Sequence, residues 1–185
     1  MIAYGGRELA SAFRTVRRNT VQVAEDIPEG KYDYEAAPGV RSVSATLRHI
    51  LFAPRMQEDM HRDRRLTTLK GYDFGAIVGK LAIEEKKPAS KAEIIKLLTS
   101  EGERTAKWLE SLTPEFLAET FTDHMGEKPR TRFENLLSVK EHEMHHRAQL
   151  MVVERLLGIV PHLTREREER RQRQAAAATA TAARV

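Results

Sequence analysis

The sequence predicts an all-α protein with the fold of a four-helix bundle, and three observations lead to this fold class. Four segments carry apolar residues at alternating spacings of three and four, which is typical of a helix with one buried face. No segment shows a convincing strand pattern, and long connections separate the four segments. A chain of 185 residues, 41% apolar and 31% charged, can form one such domain with a solvated surface.

The first two helices have recognisable start and stop signals. Small or apolar residues recur with bundle spacing over residues 9–27, and Pro28 then ends the pattern. The second helix begins near Ser42, a suitable N-cap, and carries His49 on its apolar side. Pro54 lies inside this second segment. It predicts a kink or a boundary there, because proline removes a backbone donor.

The remaining elements are read in the same way. Residues 62–89 have the weakest pattern, with a short helix expected around residues 74–83. The third helix begins at Ser90, and Glu93 three residues later completes a capping box. The fourth helix runs from about residue 132 to residue 157 and is followed by a glycine and then a proline, the usual order at a helix end.

The composition changes after the fourth helix, and we divide the chain into a bundle, residues 1–162, and a tail, residues 163–185. The tail is rich in Arg, Glu and Gln at first and consists mostly of Ala and Thr afterwards. It lacks apolar residues that could pack. We therefore expect a helical extension in solvent or a disordered segment.

Composition and charge argue against several function classes. The net charge is +4, but 27 acidic residues are interspersed with 31 basic ones and no reader motif is present, so we expect no nucleic-acid partner. No apolar run approaches the roughly 20 residues of a membrane span, and we find no signal sequence. We therefore expect a cytoplasmic protein without a membrane partner. Because cysteine is absent, any metal must be held by His, Asp or Glu.

His142 and His146 are the strongest candidates for a functional site. Residues four apart on a helix differ by about 40° in direction, so both rings lie on one face and can bind a single ion. They occupy the apolar stripe between Val139 and Leu150, where unsatisfied imidazoles would be costly. His49 faces the same core and is the natural third ligand. The alternative is that these are core histidines held by hydrogen bonds.

The neighbouring polar residues receive weaker assignments. His145 points about 100° away from His146 and does not join the pair. Glu143 is expected to face solvent. Gln149 is a residue that could orient a metal-binding side chain through a hydrogen bond. The sequence identifies no general base. Three further histidines are expected at the surface: His61, His124 and His162.

The segments PGVRSVSATLRHI and KEHEMHHRAQL, in this order and helical context, resemble the DinB/YfiT superfamily. The resemblance covers roughly residues 5–160. It implies a four-helix bundle of up-down-down-up topology, with His49, His142 and His146 in the positions of the family's metal triad. Pro54 and the basic, Ala-rich tail depart from the family's pattern.

The resemblance implies one divalent metal ion and leaves the chemistry open. Three imidazoles are compatible with Zn²⁺, Ni²⁺, Mn²⁺ and Fe²⁺. We expect a metal-dependent enzyme for a small-molecule substrate, either a hydrolase or an S-transferase that uses a low-molecular-weight thiol. The alternatives are a metal-binding or stress-response protein without turnover, and a structural helical dimer. Because relatives often dimerise, we expect a homodimer formed through the Ile, Leu and Trp residues of the third helix.

Overall fold

The computed structural model describes residues 4–182, and the predicted four-helix bundle is confirmed. The first bundle helix packs against the third and the fourth, and the broken second helix packs against the same two. The helices are α1 (Gly6–Asp26), α2 (Val43–Phe52), α3 (Pro54–Glu58), α4 (Phe74–Lys86), α5 (Lys91–Glu110), α6 (Pro114–Ala118), α7 (Arg132–Leu156) and α8 (His162–Ala182). The strands are β1 (Thr120–Thr122) and β2 (Pro129–Thr131).

Local sequence signals set the helix boundaries. The Ser42 side chain accepts a hydrogen bond from a backbone N–H three residues on, at 3.2 Å, and Ser90 forms the predicted capping box with Glu93. These caps satisfy N–H groups that a helix start leaves unpaired. The boundary predicted at Pro54 is confirmed: α2 stops at Phe52, and Pro54 begins α3 in the favoured first position of a helix.

Apolar residues from α1, α2, α5 and α7 fill the interior in two clusters, one toward each end of the bundle. Burying one such side chain contributes about 1.5–3 kcal/mol, so these clusters supply most of the drive to fold. The first cluster includes Val23, Leu47, Ile50, Leu98 and Leu150. The second includes Leu9, Phe13, Leu109 and Leu136.

A buried ion pair joins α1 to α7 between the two clusters. Arg17 donates to both carboxylate oxygens of Glu143 at 2.9–3.1 Å and to the carbonyl of Leu98 at 2.8 Å. Gly102 of α5 makes room for it, because a Cβ there would lie 2.7 Å from the Arg17 Cγ. The expectation that Glu143 faces solvent is therefore wrong: a charge can be buried when a partner on another helix neutralises it.

A short antiparallel hairpin connects α6 to α7, where the sequence predicted no strand. Thr120 pairs with Thr131 and Thr122 pairs with Pro129. Strands of three residues are too short to display an alternating pattern, which explains why the sequence did not reveal them.

Two histidines expected at the surface are buried instead. His61 is 1% exposed, with Nε2 2.7 Å from Asn135 Oδ1 and Nδ1 3.0 Å from a guanidinium nitrogen of Arg132. His162 is 4% exposed at the start of α8. The charged residues next to His61 in sequence suggested that it is exposed to solvent. Its partners in the fold instead come from α7, far along the chain. His124 is exposed, as expected.

The tail forms a helix as far as Ala182, which is one of the two forms that the sequence left open. Arg165 anchors its first turns through an ion pair with Asp26 at 2.7 Å, and residues 167–179 are exposed. Residues 183–185 lie outside the described residues. No helix within residues 4–182 has the length and apolar character needed to cross a bilayer.

Candidate metal centre

The structure brings His49, His142 and His146 together on the inner faces of α2 and α7. Each pair of ring centroids is 4.6–4.9 Å apart. One nitrogen from each ring can be chosen so that all three atoms lie within 4.8 Å of one another. His49 Nε2 and His142 Nε2 are 3.0 Å apart. The three residues predicted from spacing alone therefore converge on one point.

Hydrogen bonds at the outer nitrogens fix two of these rings. His49 Nδ1 donates to Glu85 Oε1 at 2.8 Å, and His146 Nδ1 donates to Gln149 Oε1 at 2.9 Å. In the neutral form of a histidine ring, a proton on Nδ1 leaves the lone pair of Nε2 free to bind a metal ion. A carboxylate or amide oxygen behind a histidine is the usual support of a metal ligand, since it sets the tautomer and the ring direction.

The environment keeps His142 and His146 uncharged. Burial, together with the neighbouring His146 and His49 rings, lowers the pKa of His142 to about 4. Burial also lowers the pKa of His146, against the hydrogen bond to Gln149 that raises it. Both rings are therefore neutral at pH 7, which is the form that binds a metal ion.

The donor set fits a divalent cation. Three nitrogens bound to one tetrahedral ion lie about 3.3 Å from each other, so the observed spacing needs only small side-chain adjustments. Three neutral nitrogen ligands suit zinc and the later first-row metals, and they leave at least one position on the ion for another ligand. His145 is exposed and does not join the group; it pairs with the Gln149 amide nitrogen at 3.2 Å.

A cavity of about 340 Å³ opens beside His49 and His142. The helix α4 forms one of its walls, although none of its residues is buried. Arg48 holds the end of α4 in place by donating to the backbone carbonyls of Glu84 and Glu85. The cavity is mainly apolar, with Arg41, Gln57 and Ser138 as further polar lining residues. Its size suits a small organic molecule.

A second cavity, of about 640 Å³, is lined by His146 and Gln149. Arg41 contributes to both cavities. The three histidines are thus divided between the linings of two cavities.

Sequence reasoning missed three residues of this region: Arg41, Gln57 and Glu85. Each lies in a segment whose own pattern does not single it out, and Glu85 lies within residues 62–89, the segment that is hardest to read from the sequence. Only the packing of α4 against α2 shows that Glu85 reaches His49.

Comparisons with known proteins agree with this fold. Residues 12–150 match the family model of the DinB superfamily. The chain is similar to the DinB-like protein YjoA of Bacillus subtilis, with 23% identity, a TM-score of 0.60, and coverage of 82% of this chain and 92% of that one. It is also similar to YfiT of Bacillus subtilis, described as a probable metal-dependent hydrolase with an unusual four-helix bundle topology. That likeness has 18% identity, a TM-score of 0.63, and coverage of 86% and 91%. No protein of curated function matches the chain in sequence.

Proposed function

The chain belongs to the DinB superfamily, and from that premise we propose that it is a divalent-metal-dependent enzyme acting on a small molecule. The ligands in this proposal are His49, His142 and His146. The observation that carries it is the placement of three imidazoles within reach of one ion, two of them at the wall of a mainly apolar cavity. A metal site that only stabilised the fold would be closed by a fourth protein ligand and would need no cavity.

Within this proposal, the reaction is either hydrolysis or transfer to a low-molecular-weight thiol. A bound divalent ion supplies Lewis acidity, which polarises a carbonyl group or acidifies a water or thiol. YfiT, which shares the fold, is described as a probable hydrolase, and this favours hydrolysis. Two cavities are lined by triad histidines, and this favours transfer between two substrates.

The surrounding residues support the ligands. Glu85 accepts a hydrogen bond from Nδ1 of His49, and Gln149 accepts one from Nδ1 of His146. The apolar wall formed by α4 limits the access of water to the cavity. A low local dielectric strengthens every electrostatic contact that a substrate makes there.

A cytoplasmic, homodimeric state is also part of the proposal. Ile94, Leu98 and Leu109 of α5 are buried in the core of the chain itself, so a dimer contact through this helix would use Leu97, which is 38% exposed. Exposed apolar residues of α7 are further candidates: Met144, Val152 and Leu156. Light scattering of the purified protein measures the mass, and a monomer at micromolar concentration would exclude the dimer.

Turnover tests the proposed function. The protein, stripped with EDTA and reloaded with Zn²⁺, Ni²⁺ or Mn²⁺, is assayed with p-nitrophenyl esters, and separately with chlorodinitrobenzene and cysteine as the thiol. We expect metal-dependent turnover in one assay, its loss in His142→Ala, and no change in His124→Ala, an exposed histidine outside the triad. Bound metal without turnover across a broad set of esters, amides and electrophiles would favour the alternative, a metal-binding protein that is not an enzyme.

A further inference from the structure

The cavity beside His49 contains two polar groups that the protein itself leaves without a partner. The first is Arg41, which is exposed and lies at the cavity mouth. Within residues 4–182 its guanidinium forms no ion pair or hydrogen bond. It directly precedes Ser42, the N-cap of α2, so its charge lies at the positive end of a helix dipole. That position is unfavourable for stability, and an anion bound there would relieve the repulsion.

The second group is the amide of Gln57, which is 8% exposed. Its Nε2 donates to Ser138 Oγ at 3.3 Å, whereas its Oε1 is buried and accepts no hydrogen bond in the described part of the chain. A buried acceptor without a donor is unfavourable. Gln57 lines the cavity, so a turn of its amide that brings Oε1 to the cavity surface would let a ligand N–H or O–H group satisfy this oxygen.

The two groups lie on opposite sides of His49 along the helix direction. Arg41 precedes His49 by eight residues and Gln57 follows it by eight, over a nearly continuous helical path through α2 and α3. Between them the cavity wall is apolar and includes Met56, Val78 and Leu81. The one acidic lining residue, Glu85, already accepts the proton of His49 and does not face a ligand as a free charge.

From this arrangement we infer the class of substrate: an apolar carboxylic acid that carries an N–H or O–H donor at its other end. The carboxylate pairs with Arg41, the donor binds Gln57 Oε1, and the apolar middle lies against α4. The bond that reacts is then held beside His49 and His142. The inference rests on the proposed function, since it takes this cavity as the active site.

Binding to the metal-free protein tests the inference without any dependence on metal or turnover. The probes share one carbon chain: 8-hydroxyoctanoate has both groups, octanoate lacks the donor, and octane-1,8-diol lacks the anion. Isothermal titration or ligand-observed NMR gives the Kd of each. We expect 8-hydroxyoctanoate to bind about five- to tenfold more tightly than either analogue, which is the effect of one hydrogen bond to a partly exposed charge or to a buried amide.

Two substitutions assign the groups. In Arg41→Gln, binding of 8-hydroxyoctanoate should weaken about five- to tenfold while binding of the diol stays unchanged. In Gln57→Met, binding of the hydroxy acid should weaken while that of octanoate stays unchanged. Arg7→Gln, a change at an exposed arginine of α1 away from the cavity, is the control. Thermal unfolding checks that each variant is folded.

Equal affinity for the hydroxy acid and the diol, or an Arg41→Gln variant with unchanged affinities, would overturn the inference. Metal analysis of the same preparations separates the two failures. If the protein binds metal but shows no preference for the acid, only the substrate class is wrong. If it binds no metal yet prefers the acid through Arg41, the proposed function is wrong and the anion site stands.

Discussion

Replacing Glu143 with glutamine should destabilise the bundle by about 3–5 kcal/mol, because it leaves the charge of Arg17 buried without a counter-charge. Arg17 is 5% exposed and Glu143 is 1% exposed, and three N–H···O contacts of 2.9–3.1 Å join them. Water cannot take over the role of the lost carboxylate at this depth. A loss of this size is a large part of the 5–15 kcal/mol that stabilises a typical domain.

A second ion pair between the bundle helices provides a matched control. Arg14 and Glu103 also form a forked pair, at 3.0 Å, but their side chains are 34% and 45% exposed. Glu103→Gln should therefore cost less than about 1 kcal/mol. Urea unfolding followed by circular dichroism measures both changes in the free energy of unfolding. The reasoning fails if Glu143→Gln costs no more than Glu103→Gln.

Three further predictions concern single sites. Glu85→Gln should weaken metal binding about 10- to 100-fold because it removes the carboxylate behind His49, whereas Glu84→Gln, which loses only an exposed contact to a lysine, should not; competition with a chelator measures both. Gly102→Ala should destabilise by about 1–3 kcal/mol through its contact with the Arg17 side chain, whereas Gly79→Ala, in open space on α4, should be neutral or stabilising in the same urea assay. Glu154 is fully buried, and burial raises its pKa from 4.5 to about 7. The folded state therefore holds this proton more tightly, and stability from it is lost as pH rises from about 4.5 through 7. The free energy of unfolding of Glu154→Gln, measured relative to that of the parent, should be roughly 3 kcal/mol higher at pH 8 than at pH 4. An equal difference between variant and parent at both pH values would contradict this.

Much of the fold can be predicted because its causes are local. The spacing of apolar residues defines α1, α2, α5 and α7. Serine side chains at the starts of α2 and α5 and a proline inside the second segment place several boundaries. The positions of His142 and His146 follow from helical geometry, and their occurrence on an apolar stripe indicates that they face inward. His49 follows from the same stripe on another helix.

What could not be predicted depends on contacts between distant segments. The burial of Glu143 depends on Arg17, and the burial of His61 depends on Arg132 and Asn135. Each of these side chains looks solvent-facing in its own segment, because periodicity describes one element and not its neighbour. Glu85 is hidden for the same reason: α4 has no buried face, and its role appears only where it meets His49.

Elemental analysis of the purified, untagged protein is the most direct test of the central claim that His49, His142 and His146 hold one divalent ion. The parent and the His124→Ala control should each carry about one equivalent of metal, natively or after incubation with Zn²⁺, Ni²⁺ or Mn²⁺ and removal of the excess. The His142→Ala/His146→Ala variant should carry none while remaining folded by circular dichroism. A parent without metal after loading, or a double variant that retains it, would contradict the account.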